Sequence, residues 1–196
     1  MAPKPSRIAL NNAAAQPTGD YDHLMRAAID VACDGAADGG VPIGCVLFTD
    51  DGTAATLGYN EGHKQGDQTR HAEMVALRRL IELPDDERPN PEGLTLVTTL
   101  EPCLMCMGAA VELGIGRVIY GLEAPGNGFE QRIDLRSPKR GGRPVPGGAV
   151  RWMPEVIAGM LREDCRDLWV RWLEGRDEGA PGVGFAKALM EQTEGA

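Results

Sequence analysis

The chain of 196 residues is 42% hydrophobic, 25% charged and only 5% aromatic, an ordinary composition for one folded domain around a single core. Its 20 Lys and Arg against 29 Asp and Glu leave a formal net charge of -9, so the surface as a whole repels phosphate backbones and argues against nonspecific nucleic-acid binding. No run approaches the ~18 uninterrupted apolar residues of a membrane span, and the start, MAPKPSRIALNN, lacks a continuous apolar export segment; a cytoplasmic protein without membrane contact is the expectation.

Residues 1–19 are polar, rich in Ala and Pro and without periodicity, and read as a tail that cannot offset its ordering entropy. The folded domain is expected over 20–174. Asp20 is placed to cap a helix in which Leu24, Met25, Ala28, Ile29 and Ala32 share a face, ended by Gly35 and Gly39-Gly40. A strand pair follows, Ile43–Thr49 and Ala54–Tyr59, joined by the turn Asp50-Asp51-Gly52. After the loop 60–68, Thr69 can cap a helix with Met74, Leu77, Leu80 and Ile81 on one face, stopped by Pro84.

Leu94–Thr99 reads as the next strand, and Pro102 suits the first position of a helix running from about Cys103 to Leu113 and broken at Gly114. Arg117–Gly121 is a further strand, so strand, helix and strand predict a right-handed crossover and a parallel pair. Residues 123–148 form a long loop rich in Gly, Pro and Arg. Ala149–Ile157 reads as an edge strand interrupted by Pro154, and Leu161, Cys165, Leu168 and Trp172 mark a last helix to about Glu174. Residues 175–196 read as a polar, Gly-rich tail with one short helical turn near Ala186–Met190.

Two short patterns carry chemistry. His71-Ala72-Glu73 and Pro102-Cys103-Leu104-Met105-Cys106 each lie at a predicted helix start, and together supply one imidazole and two thiols. Taken alone, the C-x-x-C fits a redox pair as well as a metal site; the imidazole upstream decides for metal. Three ligands with an open fourth position define a catalytic zinc site, whereas a structural one closes with four. Unpaired N–H groups and the helix dipole lower thiol pKa values at such positions. Glu73, two residues from His71, is close enough to act as general base for an acidified water without being a ligand.

On these residues the chain resembles the cytidine deaminase superfamily, whose zinc deaminases carry H-x-E and P-C-x-x-C. The resemblance runs from about Tyr21 to Leu122 and includes Gly40–Gly44, Gly58-Tyr59-Asn60 and Thr98–Cys103, similar to segments of cytosine, guanine and tRNA adenosine deaminases. It implies Zn2+ held by His71, Cys103 and Cys106, Glu73 shuttling protons, and Asn60 and the backbone of Ala72 facing the base. It also implies an α/β fold, a three-layer α/β/α sandwich around a mixed five-stranded sheet, and a homodimer.

Fungal-type cytosine deaminases carry Gly where Ala72 stands, and the tRNA branch carries a Lys-Thr-Gly-Ala-like stretch where this chain reads Glu123–Phe129. With the acidic surface, this favours a free nucleobase or related small amino-heterocycle as substrate, in the manner of guanine or cytosine deaminases. A tRNA adenosine is the alternative, and a non-catalytic zinc-stabilised binding protein a third reading. Cys33, Cys45 and Cys165 read as small buried hydrophobes, the three tryptophans as core or interface, and His23 and His63 as solvated surface. The basic run Pro138–Arg143 reads as a solvated loop, and Phe129 either as core or as a cover for a planar ring.

Overall fold

The computed structural model describes residues 21–130, 143–144, 150–151 and 153–194. Helix α1 spans Asp22–Ala37, β1 Gly44–Phe48, β2 Ala54–Tyr59, the single turn α2 Gly62–Gln65, and α3 Ala72–Ile81. Strand β3 (Thr95–Leu100), α4 (Leu104–Leu113) and β4 (Arg117–Leu122) follow. The two-residue strands β5 (Arg143–Pro144) and β6 (Val150–Arg151) pair with each other, and β7 (Glu155–Ile157), α5 (Arg162–Leu173) and α6 (Val183–Thr193) complete the order.

The sheet runs β2-β1-β3-β4-β7. Strand β1 is antiparallel to both β2 and β3, while β3, β4 and β7 are mutually parallel neighbours, the mixed five-stranded sheet that the sequence predicts. Successive strand side chains alternate between faces, and the apolar residues separate into two cores accordingly. Val46, Phe48, Val97 and Ile119 meet Leu24, Met25, Trp169, Trp172 and Leu189 on one face. Cys45, Leu47, Leu96, Val118 and Tyr120 meet Leu77, Leu80, Met107 and Ala110 on the other. The layers are therefore α1, α5 and α6 over the sheet and α3 and α4 beneath it.

Two glycines let helices lie directly on strands. A Cβ at Gly44 would overlap Ala28 O and Ala32 N of α1, and one at Gly58 would come within 2.6 Å of Ala72 O and 2.7 Å of Ala76 N of α3. The second contact seats the first turn of α3, with its H-x-E residues, against the end of β2.

Several expectations need correction. The C-terminal segment carries an 11-residue helix rather than a tail with one turn, and its Val183, Ala186, Leu189 and Met190 are buried. Their near-helical spacing is diluted in sequence by the glycines before and within the helix, but the face they form covers Trp169 and Trp172, which would otherwise meet water. Pro154 does not interrupt one edge strand but separates β6 from β7, each pairing elsewhere. Ile81 is half exposed at the end of α3 and Cys33 is exposed on α1. His23 is half-buried, with a buried Nε2 lacking a hydrogen-bond partner among the described residues. Phe129 resolves to core, fully buried and edge-on to Tyr120 with ring centroids 6.4 Å apart. Asp20, residues 1–19, Trp152 and the basic run up to Gly142 lie outside the described residues. No helix among the described residues is long and apolar enough to cross a membrane.

Replacing Leu189 by Ala should destabilise the chain by about 2 to 5 kcal/mol, the range for a fully packed leucine. Urea unfolding checks this, and a value near zero would mean that α6 does not belong to the core.

Candidate active site

Because β1 is antiparallel to both of its neighbours, β2, β3 and β4 point the same way and their carboxyl ends lie along one edge of the sheet. Ligand sites in open α/β sheets form at such edges. The segments that leave these three ends are 60–71, 101–103 and 123–130, and all three contribute to one cavity of about 490 Å³.

His71 is the N-cap of α3 and Cys103 the N-cap of α4, both with extended backbone and neither using its side chain to cap. The freed side chains turn instead toward each other. Cys103 Sγ and Cys106 Sγ each lie 3.5 Å from His71 Nδ1 and 3.6 Å from one another. Both cysteines are free thiols. A tetrahedral ion with metal–sulfur near 2.3 Å and metal–nitrogen near 2.0 Å spaces its ligands roughly 3.5–3.8 Å apart. The trio therefore fits three corners of such a site, and it is a group able to hold a metal ion. Thr69 does not cap α3 as the sequence suggests; its N–H and hydroxyl bond Asp67 Oδ1 in a turn, at 2.9 and 2.6 Å. Pro102 likewise sits before the N-cap rather than at the first helical position.

The contact with Cys106, together with that to His71, lowers the Cys103 thiol to about 4, while the same contact and burial push Cys106 well above the ordinary thiol range. The hydrogen bond to Cys103 raises the His71 imidazole. Glu73 is 4% exposed, and its Oε2 stands 3.5 Å from Cys106 Sγ. Burial raises its carboxyl, the direction that suits a group required to carry a proton near neutrality.

The cavity walls include Val41, Ile43, Leu100 and Asn60. Asn60 Oδ1 accepts from Gly62 N at 3.2 Å, which leaves its amide N–H groups for a ligand. Ala72 is fully buried between His71 and Glu73, its carbonyl against Gly58, and is not among the residues lining the cavity. Sequence reading missed much of the remaining wall. His63 and Gln68 come from the loop after β2, Asn127 from the loop after β4, and Gly182, Gly184 and Phe185 from the start of α6. The signal for α6 was present in the spacing of Val183, Ala186 and Met190; nothing local marked His63, Gln68 or Asn127.

His71, Cys103 and Cys106, the buried carboxyl of Glu73 and the cavity thus lie together at the carboxyl edge of a mixed sheet. The family model of the cytidine and deoxycytidylate deaminase zinc-binding region matches residues 19–122, and the chain belongs to that family. It is 37% identical over 171 residues to the tRNA-specific adenosine deaminase of Haemophilus influenzae, covering 84% of this chain and 90% of that enzyme. It is 35% identical over 104 residues to the cytosine deaminase of Candida albicans, covering 53% of this chain and 67% of that one. A match at 36% identity to the tRNA(Ile)-lysidine synthase of Deinococcus deserti covers 83% of this chain, but the chain spans only 30% of that protein's length. Among solved structures, one from work on A-to-I editing by tRNA:A34 deaminases superposes with a TM-score of 0.59 at 28% identity, covering 74% of this chain and 98% of the other. The guanine deaminase of Nitrosomonas europaea, at 22% identity and a TM-score of 0.59 over 87% of this chain and 93% of that one, shares the fold.

Chain stripped of metal by chelator should gain thermal stability on addition of stoichiometric zinc, since a ligand that binds only the folded state stabilises it. Cys103→Ala should abolish most of that gain. Differential scanning calorimetry checks both, and equal gains in the two proteins would remove Cys103 from the metal site.

Proposed function

We propose that the chain hydrolytically removes the amino group of a free nucleobase or related small amino-heterocycle, with His71, Cys103 and Cys106 as zinc ligands and Glu73 as the proton carrier. The observation that carries the substrate class is the closure of the cavity by the chain's own C-terminal helix. Gly182, Gly184 and Phe185 form one wall, and Gly182 approaches so closely that a Cβ there would stand 2.7 Å from Val41 Cγ1 and 3.6 Å from His63 Nε2. A planar ring fits such a slot between Val41, Ile43 and Leu100; a folded polyanion meets α6 first. Among the described residues, Arg70 beside His71 is paired with Glu61, and Lys64 beside His63 with Asp38.

Zinc bound at the trio supplies an acidified water near neutral pH. Glu73 is placed to carry two protons in turn: one from the attacking water to the ring nitrogen next to the amino-bearing carbon, and then one from the newly formed hydroxyl to the departing amine, so that the C–N bond breaks as C=O forms and ammonia leaves. Asn60 orients the ring edge through its free N–H groups. The apolar walls exclude bulk water and hold the ring in place, which strengthens each polar contact.

A second reading, deamination of an adenosine in tRNA, is favoured by the match to the Haemophilus enzyme over nearly its whole length. Ammonia release by the zinc-loaded protein separates the two on a panel of cytosine, guanine, adenine, their nucleosides and an anticodon stem-loop. Turnover of a free base with none on the stem-loop supports the first; turnover of the stem-loop alone supports the second. By family resemblance the protein should act in the cytoplasm as a homodimer, and light scattering tests the second point.

Glu73→Gln should retain stoichiometric zinc by elemental analysis and lose about 10²- to 10⁴-fold in kcat, the usual contribution of a positioned acid–base. A variant with near-normal kcat would take the proton relay away from Glu73.

A further inference from the structure

The loop after β4 is held against the metal-binding segment by more contacts than a surface connection needs. Glu101, 5% exposed, sits two residues before Cys103 and accepts from Ala124 N at 2.8 Å through Oε2 and from Glu130 N at 2.9 Å through Oε1. Phe129 N donates to Pro102 O at 3.0 Å, and Cys103 and Gly128 form a β-bridge. A side chain at Gly128 would overlap the Glu101 carboxylate, so glycine is required for the close approach. Gly128 N donates to Ala124 O at 2.7 Å, closing the turn, and the buried ring of Phe129 anchors its end.

Within this fixed turn, Asn127 lines the same cavity as His71, Glu73 and Cys103. Its backbone N–H is spent on Ala124 O at 3.0 Å, and its side-chain amide makes no hydrogen bond to the described residues. The neighbours in sequence are Gly126 and Gly128, which present no side chain. The loop after β4 therefore delivers one polar group to the cavity. In the strand order β4 lies three steps from β2, about 14 Å across the sheet edge at 4.7–4.9 Å per step. Asn127 and Asn60 thus enter from opposite flanks, with the metal-binding segment after β3 between them.

We infer that Asn127 is a second substrate-contacting residue that reads the edge of the heterocycle away from Asn60, and that Glu101 is the positioning residue that fixes it there. The inference rests on the reading of the cavity as a heterocycle site. A carboxamide offers both N–H donors and a carbonyl acceptor, so it matches a neutral edge carrying a ring nitrogen, a carbonyl or a hydroxyl. The carboxylates of Glu101 and Glu130 disfavour a phosphate at this flank, whereas that of Glu123 is paired with Arg162. Because the clamp orders the turn before substrate arrives, the contact costs little ordering on binding.

Steady-state kinetics of the zinc-loaded wild type, Asn127→Ala, Glu101→Gln and the double variant on the panel above test the assignment. Asn127→Ala should lower kcat/KM by about 3- to 30-fold on the accepted substrate, chiefly through KM, as expected for one neutral hydrogen bond in a desolvated site. Its zinc content and melting temperature should not change, because Asn127 is exposed in the free chain. Glu101→Gln removes one of two acceptors from the clamp and should raise KM in the same direction. The double variant should be no worse than the more impaired single one, since both changes act through the same contact. Wild-type turnover with unaltered Asn127→Ala kinetics on every accepted substrate overturns the assignment and leaves the proposed function standing. Loss of melting temperature or zinc in Glu101→Gln with KM unchanged makes Glu101 merely structural. No wild-type turnover of any heterocycle overturns the proposed function, and the assignment falls with it.

Discussion

Strand β1, running against both of its neighbours, is the constraint on which the site depends. With β1 between them, β2 and β3 are parallel at one remove, and β3 and β4 are parallel directly. Three connections consequently leave the same edge of the sheet. The segment after β3 turns into α4 within a few residues and the one after β2 into α3 after residues 60–71, and each of these helices presents its N-terminus, with unpaired N–H groups and positive dipole, toward the same space. His71 and Cys103 occupy the N-cap positions of those helices, which places an imidazole nitrogen and two sulfurs within 3.6 Å of one another although 32 to 35 residues separate them in sequence. Were β1 parallel to β3, the segment after β2 would leave from the opposite edge and the trio could not form.

Close helix–strand contact gives this arrangement its precision. Gly58 allows the first turn of α3 to rest on β2 by backbone alone, so His71 and Glu73 are located by main-chain geometry rather than by adaptable side chains. Glu73 is buried for the same reason, since the turn that carries it is pressed against the sheet. Burial makes its charge costly, and a nearby cation would offset that cost. The same main-chain packing therefore sets the buried carboxyl of Glu73 beside the thiol of Cys106 and the trio to which it belongs.

Elements far apart in sequence close the cavity around this centre. Helix α6 covers Trp169 and Trp172 with its apolar side and offers Gly182, Gly184 and Phe185 to the cavity with its start. The same helix therefore completes a core and forms one wall of the cavity. The loop after β4 does the equivalent on the opposite flank, where the buried carboxylate of Glu101 replaces the hydrogen bonds that a regular ladder would supply to Ala124 and Glu130. Each device exchanges local regularity for a defined wall, and both lie beyond the helical and strand segments whose patterns are strongest.

Much of the fold was legible in the sequence because period-2 and helical spacing reflect which face of an element meets the core. Val46 with Phe48, and Leu77 with Leu80, are readable in this way. The grouping of His71, Cys103 and Cys106 was legible for a chemical reason: few combinations of residue types can hold zinc, and His-x-Glu with Pro-Cys-x-x-Cys is a rare one. Helix α6 escaped because glycines surround its apolar positions, and its stability comes from Trp169 and Trp172 rather than from its own propensity. The cap position assigned to Thr69 falls at His71, because Asp67 holds the N–H and hydroxyl of Thr69 in a turn before the helix begins. By itself the sequence determined the family, because the residue types and spacing of its signature are local properties. Which further groups share the cavity was decided only by the tertiary structure, since Asn60, Asn127 and Phe185 come together through strand order and helix packing, and no periodicity within any one segment encodes a distance between segments.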